Sequence, residues 1–179
     1  SSQTLAKSLA AAGITLYEGR GVCAGKGQAI VRSESGEEML TTDNIILSCG
    51  SSSASFPGLA PDGDAVLDST GVLNLPEVPE SLIIVGAGAI GLELGDFFGM
   101  MGSKITIVEA APHIAPTEDA DIAKEMDRVQ SKAGRTCITG VMAKSLVTKD
   151  GQAELTLGDG RVLTASKALV AVGRTPNTA

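Results

Sequence analysis

A chain of 179 residues with 43% hydrophobic content is long enough to bury a real core, as one domain or as a domain with appendages. Its net charge of −7 argues against a nucleic-acid or membrane surface, and 2% aromatic residues with no Trp leave no platform for stacked bases. No apolar run reaches transmembrane length and no signal-peptide pattern opens the chain, so a cytoplasmic protein is expected.

In chain order, residues 4–12 read as the tail of a helix, with Leu5 and Leu9 on one face and Gly13 as its stop. Residues 14–17 read as a short strand. A β-meander follows around Val22-Cys23, Ala29-Ile30-Val31 and Met39-Leu40, and residues 44–47 read as a buried strand running into Ser48-Cys49-Gly50-Ser51. Residues 52–79, with Pro57-Gly58, Pro61-Asp62-Gly63, Pro76 and Pro79, read as a connection between domains.

The most informative stretch comes next. Ile83-Ile84-Val85 is an apolar β-branched run that feeds Gly86-Ala87-Gly88-Ala89-Ile90-Gly91, a Gly-x-Gly-x-x-Gly turn that opens a helix. A second apolar run, Ile105-Thr106-Ile107-Val108, ends on Glu109, 21 residues past Gly88. Each residue type has a physical task if a dinucleotide lies here. Gly86 permits the tight turn, Gly88 lets main-chain N–H groups approach a pyrophosphate, and Gly91 lets the helix pack near the strand. The helix start favours the phosphates, through unpaired N–H groups and the macrodipole. Glu109 is placed to accept a ribose 2′-hydroxyl and would repel a 2′-phosphate; no Arg or Lys occurs between it and Lys124. The cofactor read from this pattern is NAD rather than NADP.

The helix over residues 90–101 carries Gly91, Gly95 and Gly99 at fourfold spacing, a smooth face for close approach to the sheet, and stops at Gly102. Thr117 or Asp119 is read as the cap of a helix running to residue 133, stopped by Gly134. A strand at 135–138 leads to a second meander over 141–148, 153–156 and 162–163, turned by Asp150-Gly151 and Asp159-Gly160. A last strand, 168–172, runs into Gly173-Arg174-Thr175-Pro176-Asn177. Cys23, Cys49 and Cys137 are dispersed and read as three packed thiols with no metal site; His113, the single histidine, reads as a surface residue.

The two ends of the chain look alike. Helix, Gly13, strand, Gly21-Val22, meander and a strand closing on Gly50 match helix, Gly134, strand, Gly140-Val141, meander and a strand closing on Gly173. The expected fold is therefore α/β: a Rossmann-like nucleotide-binding domain with a β-meander crossover, flanked by an incomplete second copy whose phosphate-binding turn is missing. The expected division is 1–75 for that remainder and linker, 76–173 for the NAD-binding domain, and 174–179 for a return to the first domain.

This layout resembles the two-dinucleotide flavoprotein disulfide oxidoreductases, most closely their dihydrolipoamide dehydrogenase group, over nearly the whole chain. The resemblance is carried by Ser48-Cys49-Gly50-Ser51 before Pro57-Gly58, by Asp68-Ser69-Thr70-Gly71-Val72-Leu73 before Val78-Pro79, and by the glycine turn with Leu92-Glu93-Leu94-Gly95. Ile107-Val108-Glu109, Ala115-Pro116-Thr117-Glu118-Asp119 and Ala171-Val172-Gly173-Arg174-Thr175-Pro176-Asn177 extend it. It implies that Gly86, Ala87, Gly88, Ala89, Ile90, Gly91, Glu93, Glu109, Val141 and Gly173 contact NAD, with Glu93 toward the nicotinamide. It also implies that Gly21, Cys49, Gly50 and Ser51 line the adenosine side of FAD in a longer parent; Cys49 stands where the family usually has Thr. The family's redox-active Cys-x-x-x-x-Cys pair, its acid–base His–Glu pair and its flavin-binding Gly-Asp segment have no counterpart here, so the chain alone is expected to bind NAD weakly or not at all, to be inactive and to retain no tightly bound FAD. Its implied partners are the missing FAD-binding and dimerisation domains, a second subunit, and a 2-oxoacid dehydrogenase complex. Other members, such as mercuric or glutathione reductases and soluble transhydrogenases, and a non-catalytic NAD-binding module, are the alternatives.

Overall fold

The computed structural model describes residues 2–178, which divide into two compact units, one closing at Ser48 and the other opening at Cys49. The first unit starts with α1 (Ser2–Ala11), which ends as its glycine foretells. Gly13 takes φ +73°, its N–H donates to the Ala10 carbonyl at 3.0 Å, and the Ile14 N–H reaches back to Leu9 at 3.0 Å. The first meander is present as β1 (Arg20–Gly25), β2 (Gln28–Ser33) and β3 (Gly36–Thr41), an antiparallel sheet in that order.

Two expectations in this unit are overturned. Residues 14–17 and 44–47 are not strands: both run as irregular chain, and Ile46 and Leu47 are 89% and 68% exposed. Their β-branched composition fits a strand, but a strand is a paired state, and no described strand pairs with them. Composition registered the propensity and not the missing neighbour.

The second unit is built on a five-stranded parallel sheet ordered β5-β12-β6-β7-β8. Its members are β5 (Val66–Leu67), β6 (Ser81–Val85), β7 (Lys104–Val108), β8 (Thr136–Ile138) and β12 (Lys167–Val170). Both faces are covered, so alternate residues of one strand enter different cores. Leu82, Ile84, Ile105, Ile107 and Leu169 face α3 (Ala89–Met100) through its Leu92 and Phe98, beside Val72 of α2 (Ser69–Leu73). Ile83, Val85, Val108, Ala168 and Val170 pack on the other face against the second meander, through Leu146, Leu155 and Leu157. That meander is β9 (Ala143–Lys149), β10 (Gln152–Leu157) and β11 (Val162–Ala165). Asp150 and Gly151, both at positive φ, make the tight turn between β9 and β10.

α4 (Ala120–Lys132) links β7 to β8; Asp119 is its cap residue, but its side chain makes no capping hydrogen bond. The smooth stripe on α3 is used as read: a Cβ at Gly95 would lie 3.0 Å from the Ile84 side chain, and one at Gly99 would lie 2.8 Å from the Arg135 guanidinium. That buried guanidinium pairs with Asp96 at 2.6 Å and ties α3 to the start of β8. α3 and α4 both close as α1 does, on Gly102 and Gly134.

Residues 52–79 are more than a connection, because they supply β5 and α2 and seal the unit. Ser51–Ser53 forms β4, which pairs antiparallel with β13 (Arg174–Pro176), drawing the two ends of this unit together. The thiols differ from the reading of three packed groups: Cys23 and Cys49 are exposed, and only Cys137 is half-buried, its pKa raised first by burial and then by Asp127.

The loop before β5 is pinned by Asp62. Its carboxylate accepts the N–H groups of Asp64 at 2.9 Å and Val66 at 3.1 Å, and the Thr148 hydroxyl at 2.5 Å. Burial alone would raise this carboxyl's pKa; those hydrogen bonds outweigh it and hold it below its usual value. A lowered folded-state pKa contributes stability that is present above the unfolded value and lost as pH falls through the folded one. Asp62→Asn should therefore lower the thermal midpoint at neutral pH, and the difference from the parent chain should close as pH is taken from about 5 towards about 2; a gap that stays constant across that range contradicts this assignment.

Candidate functional site

All the singled-out NAD residues lie in the second unit, and the turn, Glu109, Val141 and Gly173 gather at the carboxyl end of its parallel sheet. The strand order reverses between β12 and β6, the place where an open α/β sheet leaves a crevice for a ligand. Gly86 closes β6 at φ +103°, where a Cβ would lie 2.4 Å from the Ala171 carbonyl beyond β12. Gly91, on the first turn of α3, sits so near the strand end that a Cβ would lie 2.0 Å from the Gly86 carbonyl. Gly88 differs from both: nothing lies within 4 Å of the position a Cβ would take. The first and third glycines are demanded by packing, and the second faces open space.

Gly88 caps α3 without a side-chain hydrogen bond. Among the described residues no side chain accepts from the first-turn N–H groups that follow, which leaves the positive end of the helix dipole without a side-chain cap. Ala87, Ala89 and Ile90 complete the turn, with Ala87 fully buried. Glu109 points at this bend. Its Oε2 accepts the Ala87 N–H at 2.8 Å and its Oε1 the Ala111 N–H at 2.8 Å. Each carboxylate oxygen keeps a further lone-pair direction, so the group can still accept a hydroxyl.

Val141 lies beside Glu109, donating its N–H to the Glu109 carbonyl at 3.2 Å, and packs on the core behind it. Gly173 follows β12 at φ +132°, and its carbonyl accepts the Ala54 N–H at 2.9 Å. Glu93 is exposed on α3 just beyond its first turn. The donors and acceptors present suit a dinucleotide: free main-chain N–H groups for a diphosphate, an uncrowded Gly88, and an acid for a sugar.

Of the four flavin-side residues, Gly21 lies on β1 in the first unit. Cys49, Gly50 and Ser51 open the second unit and meet its last residues: Asn177 donates its N–H to the Gly50 carbonyl at 3.0 Å and its side-chain amide to the Cys49 carbonyl at 3.3 Å, while Arg174 Nε reaches the Ser51 hydroxyl at 2.6 Å.

Sequence reasoning gave the loop over residues 110–118 no part in the site. Ala115, at φ +48°, donates its N–H to the Ala87 carbonyl at 2.9 Å, and Gly140 donates to the Ala111 carbonyl at 2.7 Å. These are main-chain bonds between Ala and Gly residues, which carry no side-chain signal. His113 is exposed on this loop, as read, with Nδ1 2.9 Å from the Ile114 carbonyl.

Comparison with known proteins places this geometry in context. The family model described as pyridine nucleotide-disulphide oxidoreductase matches residues 3–179. Dihydrolipoyl dehydrogenase of Chlorobaculum tepidum is 38% identical over 98% of this chain and 38% of its own length. The human mitochondrial dihydrolipoyl dehydrogenase is 34% identical over 89% of this chain and 33% of its own length. The crystal structure of LpdA from Mycobacterium tuberculosis superimposes with a TM-score of 0.85 at 27% identity, covering 99% of this chain and 40% of that one. The chain thus spans between a third and two-fifths of the length of these proteins.

The glycine geometry makes opposite forecasts for two substitutions. Gly91→Ala drives a methyl group into the Gly86 carbonyl and should cost at least about 1–3 kcal/mol, a fall of several degrees in thermal midpoint. Gly88→Ala meets nothing and should stay within about 1 kcal/mol of the parent chain. Paired thermal melts check this, and equal losses at the two positions contradict it.

Proposed function

The chain belongs to the pyridine nucleotide-disulphide oxidoreductase family, and on that premise we propose that residues 76–173 are its NAD-binding domain. Residues 1–75 then belong to an FAD-binding domain with its linker, the linker lending β5 and α2 to the unit that holds the NAD-binding sheet, and 174–179 lead back into the FAD-binding domain. One observation carries the reading: a carboxylate at the end of the second strand, 2.8 Å from an N–H of the glycine turn. An acid so placed accepts the adenosine ribose 2′-hydroxyl and repels a 2′-phosphate, which selects NAD over NADP.

In this reading the N–H groups of residues 88–90 hold the diphosphate, Gly88 admits it, and Val141 and Gly173 border the crevice. Glu93 lies toward the nicotinamide, while Gly21, Cys49, Gly50 and Ser51 serve the adenosine side of FAD. The chemistry NAD supplies when bound is acceptance of a hydride. The chain's own residues orient it: main-chain N–H groups set the diphosphate, Glu109 fixes the sugar, and the buried apolar sheet beneath keeps those groups stationary.

For the whole protein we propose the reaction of the dihydrolipoyl dehydrogenases, oxidation of dihydrolipoamide by NAD through FAD and a redox disulfide, in a homodimer that serves a 2-oxoacid dehydrogenase complex. The acid at 109 weighs against the members that prefer NADPH. The residues for disulfide and acid–base chemistry are not in this chain, so by itself it should not turn over dihydrolipoamide.

Two outcomes test this. Titration calorimetry on the longer protein should find NAD at least about tenfold tighter than NADP, since repulsion of a 2′-phosphate is worth 1–2 kcal/mol or more; equal or tighter NADP binding rejects it. The purified 179-residue chain should be colourless; stoichiometric yellow flavin contradicts the assignment of its first 75 residues as an incomplete FAD domain.

A further inference from the structure

We infer that Glu109 is a positioning residue for the diphosphate turn as well as the sugar acceptor, because it is the hub at which three loops at the carboxyl end of the sheet are joined. All four polar groups of this residue are engaged by main chain. Its N–H donates to the Ile138 carbonyl at 2.8 Å and its carbonyl accepts the Val141 N–H at 3.2 Å, which fixes it to the end of β8 and the loop beyond. Its Oε1 takes the Ala111 N–H and its Oε2 the Ala87 N–H, both at 2.8 Å. Among the described residues the carboxylate has no cationic partner, so its charge is stabilised by main-chain N–H groups alone; such charge-assisted bonds are roughly twice as strong as neutral ones.

The consequence falls on Ala87. This residue stands between Gly86 and Gly88, is fully buried, and has both its polar groups held by the region after β7: N–H by Glu109, carbonyl by the Ala115 N–H at 2.9 Å. Gly86 is held in turn by its own N–H on the Val108 carbonyl at 2.8 Å. The peptide that carries the Gly88 N–H is therefore oriented by the loop that follows the acid. Glycine turns are free to adopt many conformations, and none of the side chains in this one carries a hydrogen-bonding group to restrain it. Glu109 supplies the restraint across the crevice, before any ligand arrives, and pre-organisation of this kind raises affinity by lowering the ordering cost of binding.

This deepens the NAD-domain reading and rests on it for the ligand, yet its structural half stands without one. If the acid served only the sugar, removing it would weaken NAD and spare a ligand that lacks the hydroxyl. If it also holds the turn, removing it weakens both. Replacing the acid to change cofactor choice would then damage diphosphate binding at the same stroke.

The test uses the 179-residue chain with Glu109→Ala and the isosteric Glu109→Gln, which keeps one acceptor and replaces the other by a donor. Amide hydrogen exchange is measured on the ligand-free proteins, and binding of NAD and of its analogue lacking the adenosine 2′-hydroxyl is followed by NMR titration to millimolar concentration. Expected are exchange at Ala87 and Ala111 accelerated at least tenfold in Glu109→Ala, acceleration of at least one of the two in Glu109→Gln, unchanged protection inside α3 and the sheet, and analogue affinity reduced at least tenfold. Unchanged exchange at both amides overturns the inference, as does accelerated exchange with unchanged affinity for the analogue. Loss of protection throughout Glu109→Ala leaves Glu109→Gln to decide by the same criteria. If the parent chain binds both ligands equally, the sugar-acceptor reading fails; in that case, or if it binds neither, the exchange rates alone decide whether Glu109 holds the turn.

Discussion

The closeness of α3 to β6 sets the terms for everything around it. With a hydrogen in place of a methyl group at Gly91, the helix begins directly over the Gly86 carbonyl, and its first-turn N–H groups emerge at the carboxyl end of the sheet. A helix start is an anion site only if its N–H groups reach the ligand, and side chains on an ordinary first turn would hold a phosphate away. The stripe continues through Gly95 and Gly99, so the whole helix lies low on Ile84, Ile105 and Ile107, and the ion pair between Arg135 and Asp96 fastens its far end. Each interior glycine sacrifices about 1 kcal/mol of helix propensity; burial of Leu92 and Phe98 in the core offsets that loss.

The second constraint is the way acid and turn share one hydrogen bond. A diphosphate grip made of main chain has no side chains to define it, so its shape has to come from the neighbouring loops. Glu109 joins them, and the same carboxylate keeps lone pairs for a sugar. The oxygens that make its bonds within the fold are the ones proposed to meet a ligand, and that proposal couples specificity to architecture.

The parts legible in the sequence were those specified locally. The glycine turn, the acid ending the next strand, the helix-closing glycines 13, 102 and 134, and the Asp150-Gly151 turn each declare themselves within a few residues, because steric limits on φ act on single positions. What was illegible depends on residues far apart. β4 and β13 pair Ser51 with Pro176 across most of the chain, through short segments with no strand pattern. The loop after Glu109 is ordered by main-chain bonds that any residue could make. Residues 14–17 and 44–47 show the converse error: they have strand composition with no strand to pair with, and the exposed Ile46 and Leu47 are the outcome. Of the site, residue types and spacing named the groups proposed to hold a ligand, and the structure added how those groups are themselves held.

The account's central claim is that main-chain N–H groups at the start of α3 take the diphosphate of NAD while Glu109 takes its adenosine sugar. A crystal structure of the chain with NAD bound tests this most directly. The account predicts diphosphate oxygens within about 3 Å of N–H groups of residues 88–90 and the adenosine 2′-hydroxyl on a Glu109 oxygen, with the Ala87 bond to that carboxylate intact. A diphosphate held elsewhere, or a Glu109 carboxylate turned away from both the sugar and the bend, would contradict it.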